Sequence, residues 1–169
     1  MFLSISNKAD YLFRRLRGIL YTGSISKKVC IGKNCRIRGV EHISWGTEVW
    51  IDDNCWIEAI SHYHGDSFVP KIIFGDKSVV GRNSILTCIE SLIIGDNVLM
   101  GPNVLISDHY HGYGREQWNS HIPKIKLPLI SFGGVKVGAN VWIGANTVIL
   151  RSTSIEDNVV VPAASKLFK

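Results

Sequence analysis

Two segments of the sequence read His-Tyr-His-Gly, at residues 62–65 and 109–112. A neutral imidazole near pH 7 can take a proton from a hydroxyl while that oxygen attacks an acyl carbon, so one well-placed histidine is enough for general-base transfer. In the second segment His111 and His109 are both candidates for the base, and Asp108 could help to orient an imidazole. The same residues allow a different chemistry. A His-x-His pair on an extended segment puts two imidazoles on one side, and three nitrogen ligands plus water form a competent zinc site. His62, His64, His109 and His111 are the donors such a site would use.

Both segments interrupt a register that runs through most of the chain. Counting in sixes from Val137 lands on Ile143, Ile149, Ile155, Val161 and Leu167, and the same spacing links Ile31 to Ile37, Ile51 to Ile57, Phe74 to Val80 and Leu86, and Ile94 to Met100 and Ile106. Neither a helix nor an ordinary strand has this period. The third residue after the anchor is repeatedly asparagine, at Asn34, Asn54, Asn83, Asn97, Asn103, Asn140, Asn146 and Asn158. Asparagine tolerates left-handed φ/ψ, so each six is a short strand followed by a corner. Glycine often follows the anchor directly, as at Gly101 and Gly144, where the missing Cβ allows close backbone approach. Three such units close a triangular coil, and stacked coils pair like strands at about 4.8 Å. The expected fold is all-β, a parallel β-helix of about six triangular coils. The interruptions span residues 58–71 and about 107–134, where loops leave the wall and carry specificity.

Composition sets wider bounds. The 169 residues suggest one domain and 46% hydrophobic residues are enough for a core. Residues 1–24 form an N-terminal segment and 25–169 the solenoid. The apolar stretches of the N-terminus are too short to span a membrane or to act as a secretory signal, and a cytoplasmic location is expected. Cys30, Cys35, Cys55 and Cys88 lack CxxC spacing, and Cys35 and Cys55 share a repeat phase, as packed thiols would. The net charge of +5 favours an anionic partner, but the basic residues are scattered except at Arg14, Arg15 and Arg17, so no nucleic acid is expected. Those arginines lie in an amphipathic segment, Ala9 to Leu20, with two readings. It caps the open end of the solenoid, or it makes a peripheral contact with anionic lipid through the arginines.

From about Ile25 onward the chain resembles the left-handed β-helix acyltransferases with hexapeptide repeats. Gly101-Pro102-Asn103-Val104, followed by the loop carrying His111, resembles in particular the sugar and polysaccharide O-acetyltransferases of the O-antigen or capsule type. The resemblance implies a left-handed coil, homotrimers with active sites at the subunit clefts, acetyl-CoA as acyl donor with no metal, and a sugar or glycan acceptor. His111 matches the family's catalytic position, with Gly112 where many members have proline. Ala145, in the stretch Val141-Trp142-Ile143-Gly144-Ala145-Asn146, and Ala163 match small residues that let the pantetheine arm pass, and Lys169 matches a basic residue suited to phosphate. Trp142 and Gly144 join that cofactor set. For the acceptor the expected residues are Asn83, Tyr110, Tyr113, Arg115 and Trp118, with Glu116 and His121 in the same loop. Family members usually continue past the lysine with a segment that helps cover the adenine; this sequence ends at Lys169, and a missing segment and a different grip on the nucleotide both remain open. Three alternatives stand beside O-acetyl transfer: N-acetyl transfer to a nucleotide-linked amino sugar, a zinc hydratase resembling the β-helical carbonic anhydrases, and a non-catalytic solenoid scaffold.

Overall fold

The computed structural model describes residues 5–112, 114 and 121–168, with no side chains described for 5–7. The six-residue units build three parallel sheets. The first consists of β1 (Cys30–Ile31), β4 (Trp50–Ile51), β9 (Val79–Val80), β12 (Leu99–Met100), β17 (Trp142–Ile143) and β20 (Val160–Val161). The second consists of β2 (Arg36–Arg38), β5 (Trp56–Ala59), β10 (Ile85–Cys88), β13 (Leu105–Ser107), β18 (Val148–Leu150) and β21 (Lys166–Leu167). The third holds β3 (Ile43–Trp45), β8 (Lys71–Phe74), β11 (Ser91–Ile94), β16 (Val135–Val137) and β19 (Ser154–Ile155). The chain visits the sheets in rotation, and every pairing within them is parallel and in register, as at Leu86↔Ile106↔Ile149. The architecture is the expected left-handed parallel β-helix, with five full coils and most of a sixth.

Each anchor of the sixfold register points inward. Ile31, Ile51, Ile57, Val80, Leu86, Ile106, Ile143 and Ile149 are fully buried in one continuous core. All eight asparagines of the corner series have positive φ, from 55° to 63°. Their amides form a ladder up one edge, with Asn34, Asn54, Asn83 and Asn103 each donating through Nδ2 to the Oδ1 of the next, ending on Asn146. Such a ladder satisfies side-chain amides along the stacking direction in the same way that the backbone is satisfied. The four cysteines are free thiols. Cys35 and Cys55 stack on adjacent coils: the hydrogen bond from Cys55 brings the Cys35 thiol down to about 7, and the same partnership, with burial, pushes Cys55 up.

Helix α1 (Ile5–Thr22) caps the first coil and runs beyond the expected Ala9–Leu20. Its orientation corrects the lipid-contact reading based on Arg14, Arg15 and Arg17. The buried Arg14 pairs with Asp10 and Asp53 at 2.7 Å and with Asp52 at 3.4 Å, Arg15 donates to the carbonyls of Val29 and Ile25, and Arg17 donates to that of Ile31. An end coil presents unpaired backbone carbonyls, and guanidinium groups satisfy them. Gly18 allows the close approach, since a Cβ there would overlap the Val29 carbonyl. Leu12, Phe13, Leu16 and Leu20 consequently face outward.

The two interruptions of the register are short antiparallel hairpins. The first pairs β6 (His62–Tyr63) with β7 (Asp66–Ser67), and the second pairs β14 (His109–His111) with β15 (Leu129–Ser131).

Candidate active site

The second hairpin is anchored at its base by Asp108. This fully buried carboxylate accepts the backbone N–H of Ile89 (3.0 Å), Glu90 (2.8 Å) and Ser91 (2.9 Å), which fixes the point where the chain leaves the wall. Its Oδ1 also lies 3.1 Å from Nδ1 of His109, so the residue it orients is its neighbour and not His111. A carboxylate only accepts, so Nδ1 of a neutral His109 carries the proton and Nε2 is left as acceptor.

His111 is held from the other interruption. Tyr63, on the first hairpin, donates its hydroxyl proton to the Ile125 carbonyl at 2.7 Å. The tyrosine oxygen therefore acts as acceptor toward Nδ1–H of His111 at 3.4 Å, and the rings meet edge-on at 5.4 Å between centroids. In this tautomer Nε2 of His111 is the basic nitrogen. The ring is exposed, whereas His109 is largely covered.

Both histidines open into one cavity of about 390 Å³. Its floor is the outer face of the second sheet, where alternation brings out two rows: Arg36, Trp56 and Ile85, and beside them Glu58 and Thr87. Its walls are His62 and Tyr63 from one hairpin and His109, His111 and Leu129 from the other. The two His-Tyr-His-Gly segments thus converge, a meeting that nothing in the sequence announced because 48 residues separate Tyr63 from His111. A larger cavity, about 560 Å³, lies beyond Leu129 against Asp66 and Glu90 and contains no histidine.

Other expected residues are distributed differently. Tyr110 alternates to the opposite side of β14 and lines a separate cavity of about 230 Å³ with Leu150 and Arg151, whose guanidinium sits 4.5 Å over its ring. His109 borders both cavities. Asn83 belongs to the amide ladder and is not part of the histidine cavity. His121 is exposed. Tyr113, Arg115, Trp118 and Lys169 lie outside the described residues, as does Glu116. Among the described residues of one chain no three of His, Cys, Asp or Glu gather as a metal-holding group. Trp56, Glu58, Arg36, Tyr63 and Arg151 are new to the site; each lies far from His109 and His111 along the chain, and only the fold brings them in.

Ala145 and Ala163 stand on one corner column of the solenoid. Reading up it, Lys33, Asp53 and Arg82 give way to Pro102, Ala145 and Ala163, so the corner loses its long side chains on the later coils. Gly144 allows tight stacking beneath, as a Cβ would overlap the Ala163 backbone. Trp142 is exposed on the adjoining sheet between Leu99 and Val160.

Fold and repeats together define a hexapeptide-repeat left-handed β-helix, and residues 134–168 match the family described as bacterial transferase hexapeptide (six repeats). Among curated proteins the chain is 33% identical over 96 residues to WbbJ of Escherichia coli (strain K12), named for lipopolysaccharide biosynthesis O-acetyl transfer, covering 56% of this chain and 49% of that one. It is 30% identical over 119 residues to the galactoside O-acetyltransferase of the same organism, covering 70% and 54%. The chain thus spans about half the length of these relatives. A variant of AntD, an N-acyltransferase from Bacillus cereus solved with dTDP and coenzyme A, superposes with a TM-score of 0.61 at 20% identity, over 82% of this chain and 72% of that one; this likeness is one of fold.

Proposed function

We propose that this protein is an acetyl-CoA-dependent O-acetyltransferase acting on a sugar hydroxyl of a cell-surface polysaccharide or lipid-linked glycan precursor. The observation that carries the reading is His111, whose Nδ1–H is engaged by Tyr63 so that Nε2 is the basic nitrogen, beside a cavity floored by an indole, a carboxylate, a guanidinium and the side chains of Ile85 and Thr87. Nε2 accepts the proton of the acceptor hydroxyl as its oxygen attacks the thioester carbonyl carbon. The C–O bond forms, the C–S bond breaks, and the imidazolium returns the proton to the departing thiolate. Asp108 holds the hairpin and His109 in position. Tyr113, Arg115 and Trp118 are proposed to reach the acceptor from the loop.

The column of Pro102, Ala145 and Ala163 supports passage of the pantetheine arm along the later coils, with Trp142 and Gly144 beside it; Lys169 is proposed, on its charge alone, as a partner for the phosphates. The outward row Leu99, Trp142 and Val160 is about half exposed and apolar, which supports a homotrimer in which a neighbouring subunit covers it. Among the described residues no helix is long and apolar enough to cross a membrane. We assign the protein to the cytoplasm, in peripheral contact with the inner membrane face through the outward residues of α1. Incubation with acetyl-CoA and glycan acceptors tests the reading: an acetyl group released from the product by mild alkali is the expected ester, whereas an alkali-resistant amide would favour N-acetyl transfer to an amino sugar.

A further inference from the structure

We propose that the floor of the histidine cavity holds a second sugar subsite centred on Trp56, so that the acceptor is an oligosaccharide engaged over more than one ring. The identification of the ligand as a glycan rests on the acyl-transfer reading above; the subsite itself rests on the geometry around the indole.

Trp56 is 37% exposed although it stands in a regular outward row of the second sheet, where Ile85, Leu105 and Val148 occupy the equivalent places on later coils. Sheet stability does not ask for an indole there, since aliphatic side chains fill the same row. The ring is nevertheless fixed. Its Nε1–H donates to Glu58 Oε2 at 2.7 Å, and the Arg36 guanidinium lies 4.7 Å from its centroid. Glu58 is in turn approached by Arg38 at 3.8 Å. The indole is thus held with the Glu58 carboxylate at its edge and the Arg36 guanidinium over one face, and its exposed part borders the cavity; on this proposal the uncovered face meets the C–H side of a pyranose while the charged pair offers an acceptor and donors to its hydroxyls.

Position makes this a separate subsite. Trp56 is two rungs below Leu105 in the strand that leads to His109 and His111, and rungs are spaced by about 4.8 Å. On this proposal a hydroxyl delivered to His111 and a ring stacked on Trp56 belong to different residues of one chain, across Ile85 and Thr87 of the same cavity floor.

Calorimetric titration decides the matter, using methyl glycosides of glucose, galactose and N-acetylglucosamine and the β-linked trisaccharides of the same sugars, with wild type, Trp56→Ala and Trp56→Phe. Acetyl transfer is assayed on the same compounds. The expected result is that wild type binds at least one trisaccharide about tenfold more tightly than its methyl glycoside, that Trp56→Ala loses this margin at unchanged melting temperature, and that Trp56→Phe keeps part of it. Equal margins in wild type and Trp56→Ala, no glycan binding by wild type, or Trp56-dependent binding of UDP- or dTDP-sugars in place of trisaccharides would overturn the proposal. Trisaccharide binding that depends on Trp56, without acetyl transfer to any compound, would uphold the subsite while removing the acyl-transfer reading.

Discussion

Tyr63 commits its proton to the Ile125 carbonyl, and this single donation determines which nitrogen of His111 is basic. The expected consequence is that Tyr63→Phe leaves the Nδ1–H without its acceptor, loosens the ring and lowers kcat by about tenfold while the KM for acetyl-CoA stays constant. An equal loss in kcat and in thermal stability would reduce Tyr63 to a packing residue. At this scale the sequence singled out His111 as a candidate by its short distance from the Gly101-Pro102-Asn103-Val104 anchor. It was silent about Tyr63, whose contact depends on two hairpins meeting in space. Asp108 was legible as a partner for a histidine, but the choice of His109 depends on the backbone N–H groups of Ile89, Glu90 and Ser91, which hold the carboxylate at the base of the hairpin.

Among the elements, α1 docks by the arginine face that the lipid-contact reading leaves outside. A segment with arginines on one side and leucines on the other is ordinarily docked by its leucines. Here the partner is the open edge of a coil, rich in carbonyls and flanked by Asp52 and Asp53, so the arginines dock and the apolar side remains outside. Arg14→Glu is therefore expected to lower stability by roughly 3 kcal/mol, because it sets a fourth carboxylate among Asp10, Asp52 and Asp53. By contrast, serine at Leu12, Phe13 and Leu16 is expected to leave the melting temperature within a few degrees and to abolish cosedimentation with phosphatidylglycerol vesicles. Undiminished vesicle binding by that triple variant would remove the membrane contact, and a change in its subunit count would point to another copy of the chain as the occupant. The corners were the most readable elements, since asparagine has a local reason to adopt positive φ. Lys28, Glu48, Lys77, Ser152 and Ala164 adopt the same conformation without that reason, and there the stacking of the coil imposes it. Hairpins as short as β6–β7 and β14–β15 carry too few residues to show a period.

Across the whole molecule, a regular solenoid supplies a wall and two departures from it supply chemistry. One corner is bare from Pro102 upward, the neighbouring sheet carries an apolar row, and the second sheet carries the floor of the histidine cavity down toward the capped end. On the proposed reading donor and acceptor approach the histidine hairpin from different directions, which suits direct transfer without an acyl-enzyme. The sixfold register made this architecture readable because every anchor performs the same task of filling the core. The cavity was not readable, because it arises where two irregular segments close over a regular face. The most direct measurement is free-thiol release from acetyl-CoA, with and without glycan acceptors, by wild type and His111→Ala. Acceptor-dependent release that falls by at least about a hundredfold in a variant of unchanged melting temperature is the predicted result. Release that proceeds equally in the variant would contradict His111 as the base and with it the mechanism proposed for this site.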